Sequence, residues 1–232
     1  MLGKAKIVTY KSVFIRIMVL LALLVISLYG TWLFLDISHQ DHASRNLMLT
    51  GLIIGLLLAT IVLQKNEWAP YLTPMISIFQ GLFLGAVTYH VFLTYAHVLG
   101  LTLALEFLLA CLMLLSYGLN IIKPSPNFKR YLNITASLII LIYIVAMLLA
   151  INDIEIIILS DPGAIGKSFS VFVILVVSLL LIINYELTYE IVQERALGFM
   201  AWYVSFKLNA TLLWLFIECM RFVMKFYAST TS

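Results

Sequence analysis

Apolar runs of bilayer length follow one another along this chain, with only short polar breaks between them. In hydrocarbon no water is present to satisfy backbone N–H and C=O groups, so such runs must close their hydrogen bonds internally, as helices do. Taking about 20 apolar residues per crossing, spans are predicted near 13–35, 47–63, 71–94, 97–117, 131–150, 169–190 and 199–227. The least marked break is at 95–97, where neither Pro nor a charge cluster interrupts the run, so a six-span count is the alternative. A chain of 232 residues that is 63% hydrophobic and 11% charged cannot hide this surface in a soluble core. The expected fold is an all-α integral membrane protein, a seven-transmembrane helix bundle forming one domain over residues 1–232.

The first run follows Lys4, Lys6, Lys11 and Arg16; it is longer than a signal-peptide core and lacks a clear small-residue cleavage site, so it is expected to stay as a helix. With the N-terminus cytoplasmic, the cytoplasmic segments also take Lys65, Lys123, Lys129, Arg130 and Arg195, against Arg45 and Lys167 opposite. Arg221 and Lys225 depart from this bias at the C-terminal end. Residues 120–130, with Pro124 and Pro126, form a short basic loop, and residues 151–167 carry Asp153, Glu155 and an Asp161-Pro162-Gly163 turn. The net charge of +3 is largely topological and gives no nucleic-acid footprint. Cys111 and Cys219 lie in apolar segments, without disulfide or metal spacing. Phosphate loops, nucleophile elbows and zinc-binding helix motifs are missing, so no enzyme is expected and no cofactor is implied.

Gly51 and Gly55, then Gly81 and Gly85, have the spacing that lets helices approach closely in lipid, and packing is preferred over pore lining. Pro74 is read as plain structure in its helix. His90 and His97 flank the weak break without a partner at metal-ligand spacing. Glu106, near the middle of its span, is either an intramembrane functional acid or a carboxyl kept neutral by burial and hydrogen-bonded to a neighbouring helix.

The last third concentrates ionisable groups. Glu186 and Glu190 close one apolar run, and Lys207, Thr211, Trp214, Glu218, Arg221 and Lys225 recur every three or four residues along the next. A central charge in a membrane helix costs at least ~2.5–3.5 kcal/mol on insertion scales, so this stripe should face protein or a water path. Glu218 and Arg221 are one turn apart, which allows either a simple ion pair or part of a permeation path. Counting from the turn near 193–198 places Glu186 at the depth of Lys207, with Glu218 roughly 11 residues and ~16 Å further on. An ion pair between Glu186 and Lys207 is therefore favoured over a carboxyl pair.

The residues Trp202-Tyr203, the stretch from Thr211 to Glu218, and Arg221 resemble the C-terminal helix of the Bax inhibitor-1 family, in its bacterial YccA-like branch. The resemblance extends to Ala69-Pro70, to residues 80–85 and to Asn184-Tyr185-Glu186, where the family carries an acidic, aromatic, acidic triplet. It implies a seven-helix bundle with a central C-terminal helix, residence in a bacterial plasma membrane, and a calcium leak controlled by protonation of acids on the last two helices.

Carried over by position, Glu186 takes the second acid of the triplet and Asn184 replaces the first. Glu218 and Arg221 match the final motif, and Thr211 stands where relatives place another acid. Thr211, with Lys207 nearby, would then offer Glu186 a hydroxyl or a fixed cation. A fixed cation favours the charged carboxylate, whereas a second carboxyl disfavours it, so weakened or shifted pH gating is expected. The expected partners are the lipid bilayer, calcium or other cations, and other membrane proteins. Glu186, Glu190, Asn184 and Thr211 could supply oxygens to calcium, with Glu186 the one candidate metal contact. Glu218 and Arg221 would orient the last helix. The alternative function is a non-conducting protein that modulates membrane proteases or stress regulators.

Overall fold

The computed structural model describes residues 7–38, 41–150 and 161–230. The basic residues Lys4 and Lys6, and Asp153 and Glu155 of the acidic loop, lie outside the described residues. Among the described residues six helices run in order: α1 (Tyr10–Ser38), α2 (Asp41–Gln64), α3 (Ala69–Gly118), α4 (Pro126–Ala150), α5 (Ala164–Gln193) and α6 (Met200–Thr230), with a 3₁₀ turn at Asn66–Trp68. All six are long and apolar enough to cross a membrane, as an integral membrane protein requires. About half of the most apolar stretch is buried in α5 and in α6, against 11–17% in the others, so the last two helices are the most enclosed.

The seven-helix reading differs from the structure at one place. Residues 71–94 and 97–117 run on as one 50-residue element, α3, but it is two helical stretches joined across a kink at Tyr95 (φ −143°, ψ 68°), where the break was expected. No Pro, charge cluster or polar loop marks the kink in the sequence. A straight helix of that length would measure ~75 Å, more than twice the ~30 Å hydrocarbon thickness.

Chain contacts divide into two compact units, residues 1–96 with 187–210, and residues 97–186 with 211–232. In the first unit, Leu20, Val62, Ala69, Ile76 and Phe206 form a buried core. Thr9 and Ser12 cap α1 reciprocally, each backbone N–H donating to the other's hydroxyl (3.0 and 3.2 Å). Ser205 donates to the Val13 carbonyl (3.1 Å) and Asn209 to the Gln80 side-chain oxygen (2.9 Å), tying α6 to α1 and α3. The glycines sit at close helix contacts. A Cβ on Gly51 would stand 2.7 Å from the Phe79 carbonyl oxygen, and one on Gly85 2.7 Å from Thr31 Cβ. At Gly81 it would collide with the Leu24 carbonyl oxygen and Ser27. Gly81→Val is therefore expected to cost about 1–3 kcal/mol, read as a lower melting temperature in detergent. Gly100→Ala, where nothing lies within 4 Å of an added Cβ, should melt like the parent.

In the second unit, the end of α3 and the start of α4 are both closed by local caps. α3 stops in a Schellman motif: Asn120 takes φ 56°, Asn120 N–H donates to Tyr117 O (3.0 Å) and Ile121 N–H to Ser116 O (2.9 Å). Asn is the non-glycine residue best suited to that left-handed position. Ser125 then caps α4, its hydroxyl accepting from Phe128 N–H (3.2 Å), and Pro126 fills the first helical position, where no donor is needed. The predicted 120–130 loop is thus a tight connection that places the end of α3 near the start of α4. At the start of α5, Asp161 Oδ1 accepts from Gly163 N–H (2.9 Å), closing the turn expected there.

Candidate functional site

Three polar clusters occupy the second unit, and each contains residues singled out from the sequence. The first is at Glu186 on α5. Tyr117, in the last turn of α3, donates its hydroxyl to Glu186 Oε2 (2.8 Å), and Lys129, in the first turns of α4, places its ammonium 3.9 Å from Oε1. Both contacts come from residues within about a turn of a helix end, so Glu186 lies at the edge of its unit, with its side chain 25% exposed. Tyr185 packs beside Tyr117, ring centroids 6.2 Å apart. Sequence reasoning did not bring Tyr117 or Lys129 to this carboxylate. The only available signal was that Lys129 sits in a helix N-terminal turn, where the helix dipole disfavours a cation lacking an anionic partner.

The second cluster joins Asn184 to Thr211. The Asn184 amide donates to the Thr211 hydroxyl (2.8 Å), and both residues are buried. Thr211, expected to offer its hydroxyl to Glu186, thus uses it as an acceptor for Asn184, while the hydroxyl on Glu186 is that of Tyr117. Neither member of the Asn184–Thr211 pair can titrate, so it links α5 to α6 at any pH in the ordinary range.

The third cluster surrounds Glu218, whose residue is 1% exposed. Its Oε1 accepts from the Tyr143 hydroxyl (2.7 Å) and Trp214 Nε1 (3.2 Å), and Arg221 approaches it to 3.5 Å. Arg221 also lies over the Tyr143 ring, 5.0 Å from its centroid. Oε2 is buried with no hydrogen-bond partner among the described residues. Further along the same stripe, buried Lys225 donates to Gly166 O (2.8 Å) and Ser170 Oγ (3.0 Å). Within the second unit the stripe on α6 therefore bonds α4 through Glu218 and α5 through Thr211 and Lys225.

The remaining candidates are placed differently. Glu106 is partly buried and, among the described residues, makes no side-chain hydrogen bond or ion pair, so the alternative of a carboxyl hydrogen-bonded to a neighbouring helix finds no partner there. Glu190 and Lys207 belong to the first unit, where Lys207 lies 6.0 Å from the Tyr203 ring centroid. His97 stacks edge-on against Tyr227, and His90 shares a hydrogen bond with Ser44 (2.7 Å). Among the described residues no three His, Cys, Asp or Glu side chains converge as a metal cage. An open cleft of about 490 Å³ is lined by Leu101, Leu105, Phe222, Val223, Phe226 and Tyr227; with no charged group on its walls it offers an ion nothing.

A family model described as Bax inhibitor 1 like matches residues 2–228. No curated protein and no solved structure gives a significant match. With that model running through all six apolar helices, including the positions of Glu186, Glu218 and Arg221, the chain belongs to the Bax inhibitor 1 like family.

Proposed function

We propose that the protein is a cation leak pathway, with calcium as the leading permeant ion and Glu186 as the carboxylate that ions touch. In this reading it is of the YccA-like branch and lies in a bacterial plasma membrane with its N-terminus cytoplasmic. The parts of α3 on either side of Tyr95 count as separate crossings, which makes seven. The observation that carries the reading is the state of Glu186: an ionisable group beside the end of α3 and the start of α4, partly exposed, with Tyr117 fixing one oxygen and the other facing Lys129. Hard cations take oxygen ligands, and a pathway must hold an ion strongly enough to admit it and weakly enough to release it. A site resting on one carboxylate, with no group of three acidic or metal-binding side chains among the described residues, suits passage better than storage.

Control by pH is expected to differ from that of relatives with an acid pair. Two carboxyls at hydrogen-bond distance share a proton at low pH and repel once both ionise, which makes a switch. Asn184 and Thr211 cannot do this. Calcium flux through the purified protein in liposomes is therefore expected to cross neutrality without a steep step. The Asn184→Asp, Thr211→Asp double variant should acquire one, its α5–α6 link weakening as pH rises. A steep step in the parent protein, abolished by Glu186→Gln, would overturn this account of the neutral pair.

A further inference from the structure

We infer that Lys129 is a tethered counter-cation that competes with diffusible cations for Glu186, and so sets how strongly the site holds an ion; this rests on the cation-pathway reading of Glu186. The ammonium lies 3.9 Å from Glu186 Oε1, beyond the ~2.7–2.9 Å of a direct charge-assisted hydrogen bond. The pair is thus a loose electrostatic contact. Both side chains are partly exposed, at 27% and 25%, so an arriving ion can meet the carboxylate without opening a core.

The two carboxylate oxygens are held unequally. Tyr117 pins Oε2 at 2.8 Å, which keeps the group oriented whether or not Lys129 is present, and Oε1 is left to the ammonium. A calcium ion on Oε1, at its usual ~2.3–2.6 Å, would stand close enough to the ammonium to be repelled by it. Binding of an ion must then displace Lys129, and departure of the ion lets Lys129 return. The position of Lys129 suits this exchange. It lies in the first turns of α4, just after the Ser125 cap, where the helix dipole also disfavours a positive charge. Its hold on Glu186 is weakened accordingly.

The test uses the full-length protein in lipid nanodiscs with terbium ion as the probe, since Tyr117 and Tyr185 can sensitise terbium luminescence at Glu186, and calcium as its competitor. Lys129→Gln is expected to tighten both ions about two- to fivefold, the range set by one partly exposed ion pair. Lys129→Arg, which keeps the charge, should bind like the parent, and Glu186→Gln should remove the tyrosine-sensitised signal with or without Lys129→Gln. Unchanged affinity in Lys129→Gln, together with loss of signal and flux in Glu186→Gln, would overturn the role of Lys129 and leave the cation pathway standing. If Glu186→Gln alters neither binding nor flux, the pathway reading falls, and this inference with it. Lys129 is exposed enough for its replacement to leave the fold intact, which helicity and elution volume verify.

Discussion

Glu218→Ala is expected to destabilise the protein by about 2–5 kcal/mol, measured by unfolding in detergent. The carboxylate is almost fully enclosed and gathers three donors on one oxygen: Tyr143 from α4, and Trp214 and Arg221 from its own helix. Truncation leaves these donors facing one another in a space that water does not readily enter. Buried partners stripped of their counter-charge cost several kcal/mol in soluble proteins, but single hydrogen bonds between membrane helices average only about 0.6 kcal/mol. The estimate lies between these bounds. Tyr143→Phe removes one donor and leaves the charge pair, so about 0.6–1.7 kcal/mol is expected. Should Glu218→Ala melt like the parent, the cluster is not what joins α4 to the last helix.

Glu186→Gln is expected to lower cation flux by roughly tenfold or more while leaving the fold unchanged. Glutamine keeps an oxygen for the Tyr117 hydroxyl, so only the charge is removed. Unit charges 4 Å apart attract by about 4 kcal/mol at an effective dielectric of 20. Exposure and the ammonium of Lys129 reduce that figure, and each remaining 1.4 kcal/mol corresponds to tenfold in occupancy of the site. Flux by Glu186→Gln liposomes equal to that of the parent, at matched protein content, would show that the charge has no part in conduction.

The helices were legible because span length and hydropathy alone dictate them in lipid. Expected boundaries and observed ones differ mainly in that the helices run a few residues past their apolar cores, as at Tyr10–Ser38 against 13–35. The weakly marked break at 95–97 coincides with the kink at Tyr95, but the two stretches run on as one element without a loop, so the count among the described residues is six helices. The stripe on α6 followed from three- and four-residue spacing, and its members in the second unit do bond neighbouring helices. Its partners were another matter. Tyr117 is 69 residues from Glu186 and Tyr143 is 75 from Glu218, and each is one tyrosine among twelve in an apolar chain. Depth counting from the α5–α6 turn compares residues on those two helices only. It carries no information about the α3–α4 connection, whose Schellman stop and Ser125 cap put Tyr117 and Lys129 beside Glu186.

The central claim is that this protein passes cations, and the most direct test is calcium entry into sealed liposomes carrying the purified full-length chain, followed with an enclosed calcium indicator. The account predicts entry well above that of protein-free vesicles prepared alongside. Entry no faster than in those empty vesicles, from protein that keeps its helicity and elutes as a single species, would contradict it and favour a non-conducting partner of other membrane machinery.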